Sequence, residues 1–333
     1  MPVKRDDNLC YSTDELVETL ISIGGPLDTD EVVAFATIQG FRYDETDRLW
    51  QLGLDDIAAL SARFTPCDTL YVLPDSVREC TSPWATTLAG LYRNPISLPS
   101  SLSPEQGQLL KDLICNTDPR AIMEIGCFIG ISTIWMASGL EQIRSQAIIH
   151  SVDLFEEVHP LPPYHFRYIL DRLDAAQQAV DSAQLTDRVR FHKMASRQMA
   201  LSLRDILSAP IELLFIDGDH SKRGCLSDFL LFLPYVAVGG YIVLHDIYPE
   251  NCGHDGPRWV IDHFVKGSRA FELIEIKTQP NNYGMAIIRK RGHDLRLRVG
   301  SAVLRRFAAN WPMIKSTSGG HFMSNVAEKF FRA

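Results

Sequence analysis

The chain has 333 residues, enough for one large α/β domain plus a smaller one. Its 46% hydrophobic and 22% charged content is that of a soluble globular protein, and a formal net charge of −8 argues against nucleic acid as the main partner. Seven cysteines without CxxC spacing give neither a disulfide framework nor a zinc signature, and point to reduced thiols in the cytoplasm.

The first ten residues are polar, with no apolar run, so no secretory signal is expected there. Ser12-Thr13-Asp14-Glu15 has the form of a helix start, followed by Leu16, Leu20 and Ile21 at helical spacing. A second helix over Val32, Val33 and Phe35 precedes a small hairpin: Phe41-Arg42-Tyr43, a turn at 44–47, then Arg48-Leu49-Trp50-Gln51-Leu52. Residues 1–65 therefore predict a mainly helical domain, either winged-helix-like or a plain α+β cap, and its many acids disfavour DNA binding. Residues 66–100 are a proline-rich connector. Ser103-Pro104-Glu105-Gln106 then predicts a capped helix that opens an α/β domain over 101–291.

Within that domain, Ala121–Ile125 reads as a short buried strand, and Gly126 and Gly130 flank a tight turn. Ser132 or Thr133 opens the helical run beyond it. A strand feeding a glycine turn at a helix N-terminus brings bare N–H groups close to a ligand, although close packing alone also explains the glycines. The spacing is G-x-x-x-G, not the G-x-G-x-x-G of dinucleotide enzymes, and Glu124 sits two positions before the first glycine. A carboxylate there suits a positively charged ligand, such as the sulfonium and ammonium of S-adenosylmethionine.

Residues 147–153 form a second strand ending in Asp153, placed either to bind ribose hydroxyls or to cap a helix after the strand. The stretch 155–168 interleaves Pro160, Pro162 and Pro163 with His159, Tyr164, His165 and Phe166, as a substrate lid or a packed surface loop. A helix is expected over 167–183, a third strand at Val189–Lys193, and Ser196 just beyond it toward the adenine end of a ligand. A fourth strand over 211–217 runs into Gly218-Asp219-His220-Ser221. Gly239-Gly240 makes a turn, and a fifth strand over 241–244 ends in His245-Asp246. Strands over 271–277 and 282–289 close the domain as an antiparallel pair, giving a doubly wound, mostly parallel sheet. Residues 289–333 carry ten Lys/Arg against two acids, and the 292–333 extension is amphipathic. Such a stretch rests on an anionic membrane, recruits an acidic substrate, or packs onto the acidic body or across a dimer interface; packing is favoured.

Acid-bearing strand ends at Glu124, Asp153, Asp217 and His245-Asp246 converge on the sheet edge where open α/β folds bind ligands. The segments Glu124-Ile-Gly-Cys-Phe-Ile-Gly-Ile-Ser-Thr133, Phe215-Ile-Asp-Gly-Asp-His-Ser221 and Gly239-Gly-Tyr-Ile-Val-Leu-His-Asp246 resemble class I S-adenosylmethionine-dependent methyltransferases, most of all the catechol-type and antibiotic-sugar O-methyltransferases. The resemblance covers roughly residues 100–290. It implies a seven-stranded Rossmann-like sheet with a reversed final strand, with Glu124, Gly126 and Gly130 lining the methionine end of S-adenosylmethionine and Asp153 holding the ribose; Cys127, Ser132, Ser196 and Asp217 complete the expected cofactor site. It also implies a divalent metal (Mg, Mn or Ca) at Asp217, His245 and Asp246, where relatives carry two acids or Asp-Asn at the second pair. The histidine departs from that pattern and suits manganese, iron or zinc better; it is alternatively a base or a group that supports the ligands from behind. The position of the catechol-type lysine base is His220, and Asp219 matches the acid of sugar-methylating relatives. His220 is otherwise a surface-loop histidine. The expected activity is O-methylation of a small hydroxylated metabolite or sugar by a cytoplasmic homodimer. An NAD-dependent oxidoreductase and a non-catalytic cofactor-binding interaction protein are the alternatives.

Overall fold

The structure is a computed structural model and describes residues 3–5, 8–16, 36, 41–46, 48–53, 71–93, 97, 101–156, 169, 171–277 and 282–309. The chain divides into two compact units: Met1–Thr81 with Ala85–Ser101 and Glu156–Asp174, and Ser82–Trp84 with Leu102–Phe155 and Ala175–Ala333.

In the first unit, β1 (Val3–Arg5), β2 (Asn8–Tyr11), β3 (Arg42–Asp44) and β4 (Leu49–Gly53) form an antiparallel sheet in the order β1-β2-β4-β3. The expected hairpin is the β3–β4 pair, with Tyr43 opposite Trp50 and their rings 4.9 Å apart. The two N-terminal strands are an addition: residues 1–10 offer only short, polar stretches, too brief for alternation to show. Ser12 opens a helix as expected. Its Oγ accepts from Glu15 N (3.2 Å) while the Glu15 carboxylate accepts from Ser12 N (3.0 Å). The second predicted helix, apart from Ala36, and the 157–168 aromatic loop lie outside the described residues. Helix α1 (Pro83–Tyr92) buries Ala85, Leu88 and Tyr92.

The second unit opens with α2 (Pro104–Thr117), whose N-cap is Ser103 and whose first residue is Pro104, as its sequence predicts. β5 (Ala121–Ile125) comes next, buried at every position, then α3 (Ile131–Gln142). The main elements that follow are β6 (Ile148–Asp153), α4 (Arg172–Ser182), β7 (Val189–Lys193), α5 (Ser196–Ile206), β8 (Ile211–Ile216), α6 (Lys222–Phe232), β9 (Val236–His245), β10 (Phe271–Ile276), β11 (Met285–Lys290) and α7 (Leu295–Ala309), with short helical turns between β9 and β10. The strands make one seven-stranded sheet in the order β10-β11-β9-β8-β5-β6-β7. Only β11 runs against its neighbours, antiparallel to both β9 and β10. Apolar runs such as Ile-Glu-Leu-Leu-Phe-Ile in β8 suit a parallel sheet covered on both faces. The core gathers fully buried Trp135, Phe215, Phe229 and Phe232. The chain winds outward through β6 and β7, then returns to the other side of β5 at β8, so the switch point lies beside β5.

β9 differs from its sequence reading. Gly239-Gly240 is not a turn but part of a ten-residue strand, and the register between β8 and β9 slips there: Ile211 faces Val236, yet Leu213 faces Tyr241. Gly239, at φ +91°, supplies the left-handed backbone that a bulge uses. α4 also starts at Arg172 rather than 167, and α6 starts at Lys222 because Ser221 caps it, Oγ accepting from Gly224 N at 3.0 Å.

The basic extension contributes α7. Leu297 and Ala308 belong to the core, Leu304 packs against it, and the Arg305 guanidinium lies 4.8 Å over the Tyr235 ring. No helix among the described residues is long and apolar enough to cross a membrane. Six described cysteines are free thiols.

Candidate active site

The C-terminal ends of β5, β6, β8 and β9 present the predicted residues on one edge of the sheet. Gly126 stands at φ +89° with its backbone against that of Asp217 and Gly218; a Cβ at this position would overlap the Asp217 carbonyl oxygen. That close approach brings the glycine turn beside the end of β8. Gly130, at φ +90°, is the N-cap of α3.

Glu124 is fully buried. Its carboxylate accepts from Ser132 Oγ (2.6 Å), Thr133 Oγ1 (2.6 Å) and Ser151 Oγ (2.5 Å). Burial pushes its pKa up to about 7, against the pull of the three hydroxyls. The acid therefore sits beneath the turn, within a cage of hydroxyls that no spacing rule points to. Cys127 is buried as well, with Sγ 3.4 Å from Thr133 Oγ1. Asp153 grips the turn from the neighbouring strand: Oδ2 accepts from Cys127 N (3.0 Å) and Phe128 N (3.1 Å), while Oδ1 accepts from Phe155 N (2.7 Å). Ser196 Oγ donates to Asp228 Oδ1 at 2.6 Å, and burial raises the Asp228 carboxyl to about 7.

Asp217, His220, His245 and Asp246 form one cluster, with one ligand-type atom from each within 4.8 Å of all the others. His245 Nδ1 lies 3.0 Å from Asp217 Oδ1 and 2.9 Å from Asp246 Oδ1; His220 Nε2 lies 3.2 Å from Asp217 Oδ1 and 3.3 Å from Asp246 Oδ2. The backbone turns at Asp246, whose φ of +57° ends β9 abruptly; aspartate tolerates this region better than most residues. Burial favours neutral imidazoles here, but the carboxylates outweigh it: Asp217 and Asp246 raise His245 well above its ordinary value and raise His220 too. Burial would likewise raise Asp217, yet the charge of His245 and hydrogen bonds from both imidazoles hold it well below the usual carboxylate range. Gly256 N donates to His220 O (3.0 Å), and the His254 ring stacks on His220 at 5.7 Å, so the chain after β9 closes one side.

Asp219 stands apart from this cluster. It is exposed, Oδ1 accepts from Ser221 N at 2.9 Å, and its side chain packs where a Cβ on Gly224 would fall. Gln106, read from sequence only as half of a cap, reaches the cluster instead: its Oε1 lies 3.1 Å from His245 Nε2.

A seven-stranded sheet with a reversed, inserted last strand and a glycine turn after its central strand defines the class I methyltransferase architecture. Residues 123–247 match a family model described as a methyltransferase domain. Among curated relatives, a 42-residue stretch is 50% identical to an uncharacterized protein of Acanthamoeba polyphaga mimivirus, covering 13% of this chain and 19% of that protein. Another 119 residues are 29% identical to the catechol O-methyltransferase of Niastella koreensis, covering 36% of this chain and 46% of the relative. The chain thus spans less than half the length of the curated relatives it matches. An O-methyltransferase from Bacillus cereus solved with SAH is 18% identical with a TM-score of 0.46, over 66% of this chain and 93% of that one.

Proposed function

We propose that this protein transfers a methyl group from S-adenosylmethionine to a hydroxyl of a small molecule, a sugar or a specialised metabolite, with a divalent cation at the cluster. The observation that carries this reading is the meeting of Asp217, His220, His245 and Asp246 beside the glycine turn, at the ligand-binding edge of a methyltransferase sheet. The name of the Niastella koreensis relative supports oxygen as the acceptor atom.

The donor set fits a cation. Two carboxylates and two imidazoles lie at separations near the edges of a coordination polyhedron. Asp217, His245 and Asp246 would hold the ion. Mixed oxygen and imidazole donors suit manganese, iron or zinc better than magnesium or calcium. Such an ion would supply Lewis acidity toward the acceptor oxygen. His220 is the group that removes the hydroxyl proton, its ring held at the cluster by Asp217 and Asp246. The turn from Gly126 to Gly130 and Asp153 hold the methyl donor, and the sheet edge sets donor and acceptor in line.

Calorimetry with S-adenosylhomocysteine, then labelled-methyl transfer to a panel of catechols and sugars with and without Mn(II), tests the proposal. Absence of S-adenosylhomocysteine binding would sink it.

A further inference from the structure

Gln106 is the third residue of α2, 1% exposed and remote in sequence from every other site residue. Both halves of a capping box fix it: Gln106 N donates to Ser103 Oγ (3.3 Å), and Ser103 N donates to Gln106 Oε1 (3.0 Å). The second bond settles the amide's orientation, since only oxygen can accept from a backbone N–H. The same oxygen lies 3.1 Å from His245 Nε2, so that nitrogen must carry a hydrogen. Nδ1 is then the nitrogen turned toward Asp217 and Asp246, at 3.0 and 2.9 Å.

We infer that Gln106 is a positioning residue of the cation site: it holds the Nε2–H of His245, fixing the ring's tautomer and direction so that Nδ1 is offered as a ligand. The inference rests on the proposed cation at this cluster. A metal-bound imidazole characteristically donates its other N–H to an oxygen, and here that oxygen is itself anchored to the first turn of a helix. A cap alone accounts for neither the burial nor the Gln106 Nε2 atom, which is enclosed without a hydrogen-bond partner. A buried orphan donor is destabilising. The helix start and the cluster are thus joined through one amide oxygen, shared between Ser103 N and His245 Nε2.

The test is Mn(II) and Co(II) titration of the full chain after chelator treatment, read by calorimetry and by the visible bands of bound Co(II). Gln106→Leu should weaken metal affinity by about 10–100-fold. Ser103→Ala loses only the hydroxyl half of the box and keeps the backbone N–H that orients Gln106. It should lower the thermal midpoint and leave metal affinity within about threefold. Gln106→Glu keeps the acceptor and the cap, so affinity should recover. A charged acceptor on Nε2–H should also shift the Co(II) bands, a readout that survives even if Gln106→Leu does not fold. Unchanged affinity in Gln106→Leu, or unchanged Co(II) bands in Gln106→Glu, would make Gln106 a cap only. Failure of the unmodified chain to take up either ion would instead remove the cation reading itself.

Discussion

His220 Nε2 lies 3.3 Å from Asp246 Oδ2, and the same nitrogen is 3.2 Å from Asp217 Oδ1. One imidazole therefore spans two carboxylates that β8 and β9 deliver from separate strands. If His220 is the proton acceptor, His220→Ala should reduce turnover by roughly 10²–10⁴-fold, the usual contribution of a positioned base. S-adenosylhomocysteine affinity should stay within about threefold, because the turn proposed to hold the cofactor is built by β5 and β6. Turnover and affinity falling together would reassign His220 to structure.

Asp217 faces both imidazoles, so its removal disturbs cation and base together, and metal uptake is the readout that isolates the cation. Asp217→Asn should abolish Mn(II) uptake measured by calorimetry. It should also lower His245 toward the ordinary histidine range, because the acid that most opposes its burial is gone. Dialysis against chelator should remove activity from the unmodified chain, and Mn(II) should restore it more fully than Ca(II). Full turnover after exhaustive chelation would exclude a cation from the reaction.

How far the sequence reveals this site depends on whether its signals are local. The glycine turn, the acids at the ends of β6 and β8, and the His245-Asp246 pair all lie where a strand stops, and the apolar runs preceding them make those ends visible. The capping box at Ser103 and Gln106 is equally local. What it touches is not: Gln106 and His245 are 139 residues apart and meet only in the folded chain. The Ser151 hydroxyl that helps to cage Glu124 is likewise set by the parallel register in which Glu124 faces Ser151. The bulge in β9 hides because Gly-Gly signals a turn as readily as a kinked strand. β1 and β2 are invisible in the sequence because three or four mixed residues carry no clear period.

Gly126 has two separate reasons to be glycine: φ +89°, and the Asp217 carbonyl oxygen where a Cβ would fall. Gly126→Ala should therefore cost at least about 2 kcal/mol of stability, combining left-handed strain with displacement of backbone rather than of a flexible side chain. The displaced segment carries the turn and the end of β8 together, so S-adenosylhomocysteine affinity and metal uptake should fall in parallel. Gly239→Ala separates strain from crowding, because Gly239 shares the positive φ with nothing within 4 Å of its Cβ position. Its cost should be about 1 kcal/mol, with both affinities intact. Equal losses in the two variants, measured by urea denaturation, would show that strain alone accounts for Gly126.

Glu124 makes stability depend on pH in a direction opposite to that of a salt-bridged acid. Its ordinary value is 4.5 and burial lifts it to about 7 in the folded chain. Between those values the unfolded chain has released the proton while the folded chain still holds it. Stability contributed by this group is thus complete below the unfolded value, declines as pH rises through the interval, and levels off above the folded value. The interval corresponds to roughly 3 kcal/mol at 1.36 kcal/mol per unit. Glu124→Gln keeps the shape and can still pair with Ser132, Thr133 and Ser151 through rotated hydroxyls, but it cannot ionise. Relative to the unmodified chain, the glutamine variant should therefore gain stability between about pH 4 and about pH 8 by about that amount, read from urea midpoints at the two ends. A difference that stays flat across the range would mean that the three hydroxyls fully offset burial and that Glu124 titrates alike in the folded and unfolded chain. A bound cationic methyl donor should narrow the same difference, since positive charge nearby favours the carboxylate; repeating the series with S-adenosylmethionine and with S-adenosylhomocysteine, which lacks the sulfonium charge, distinguishes the sulfonium's field from mere occupancy.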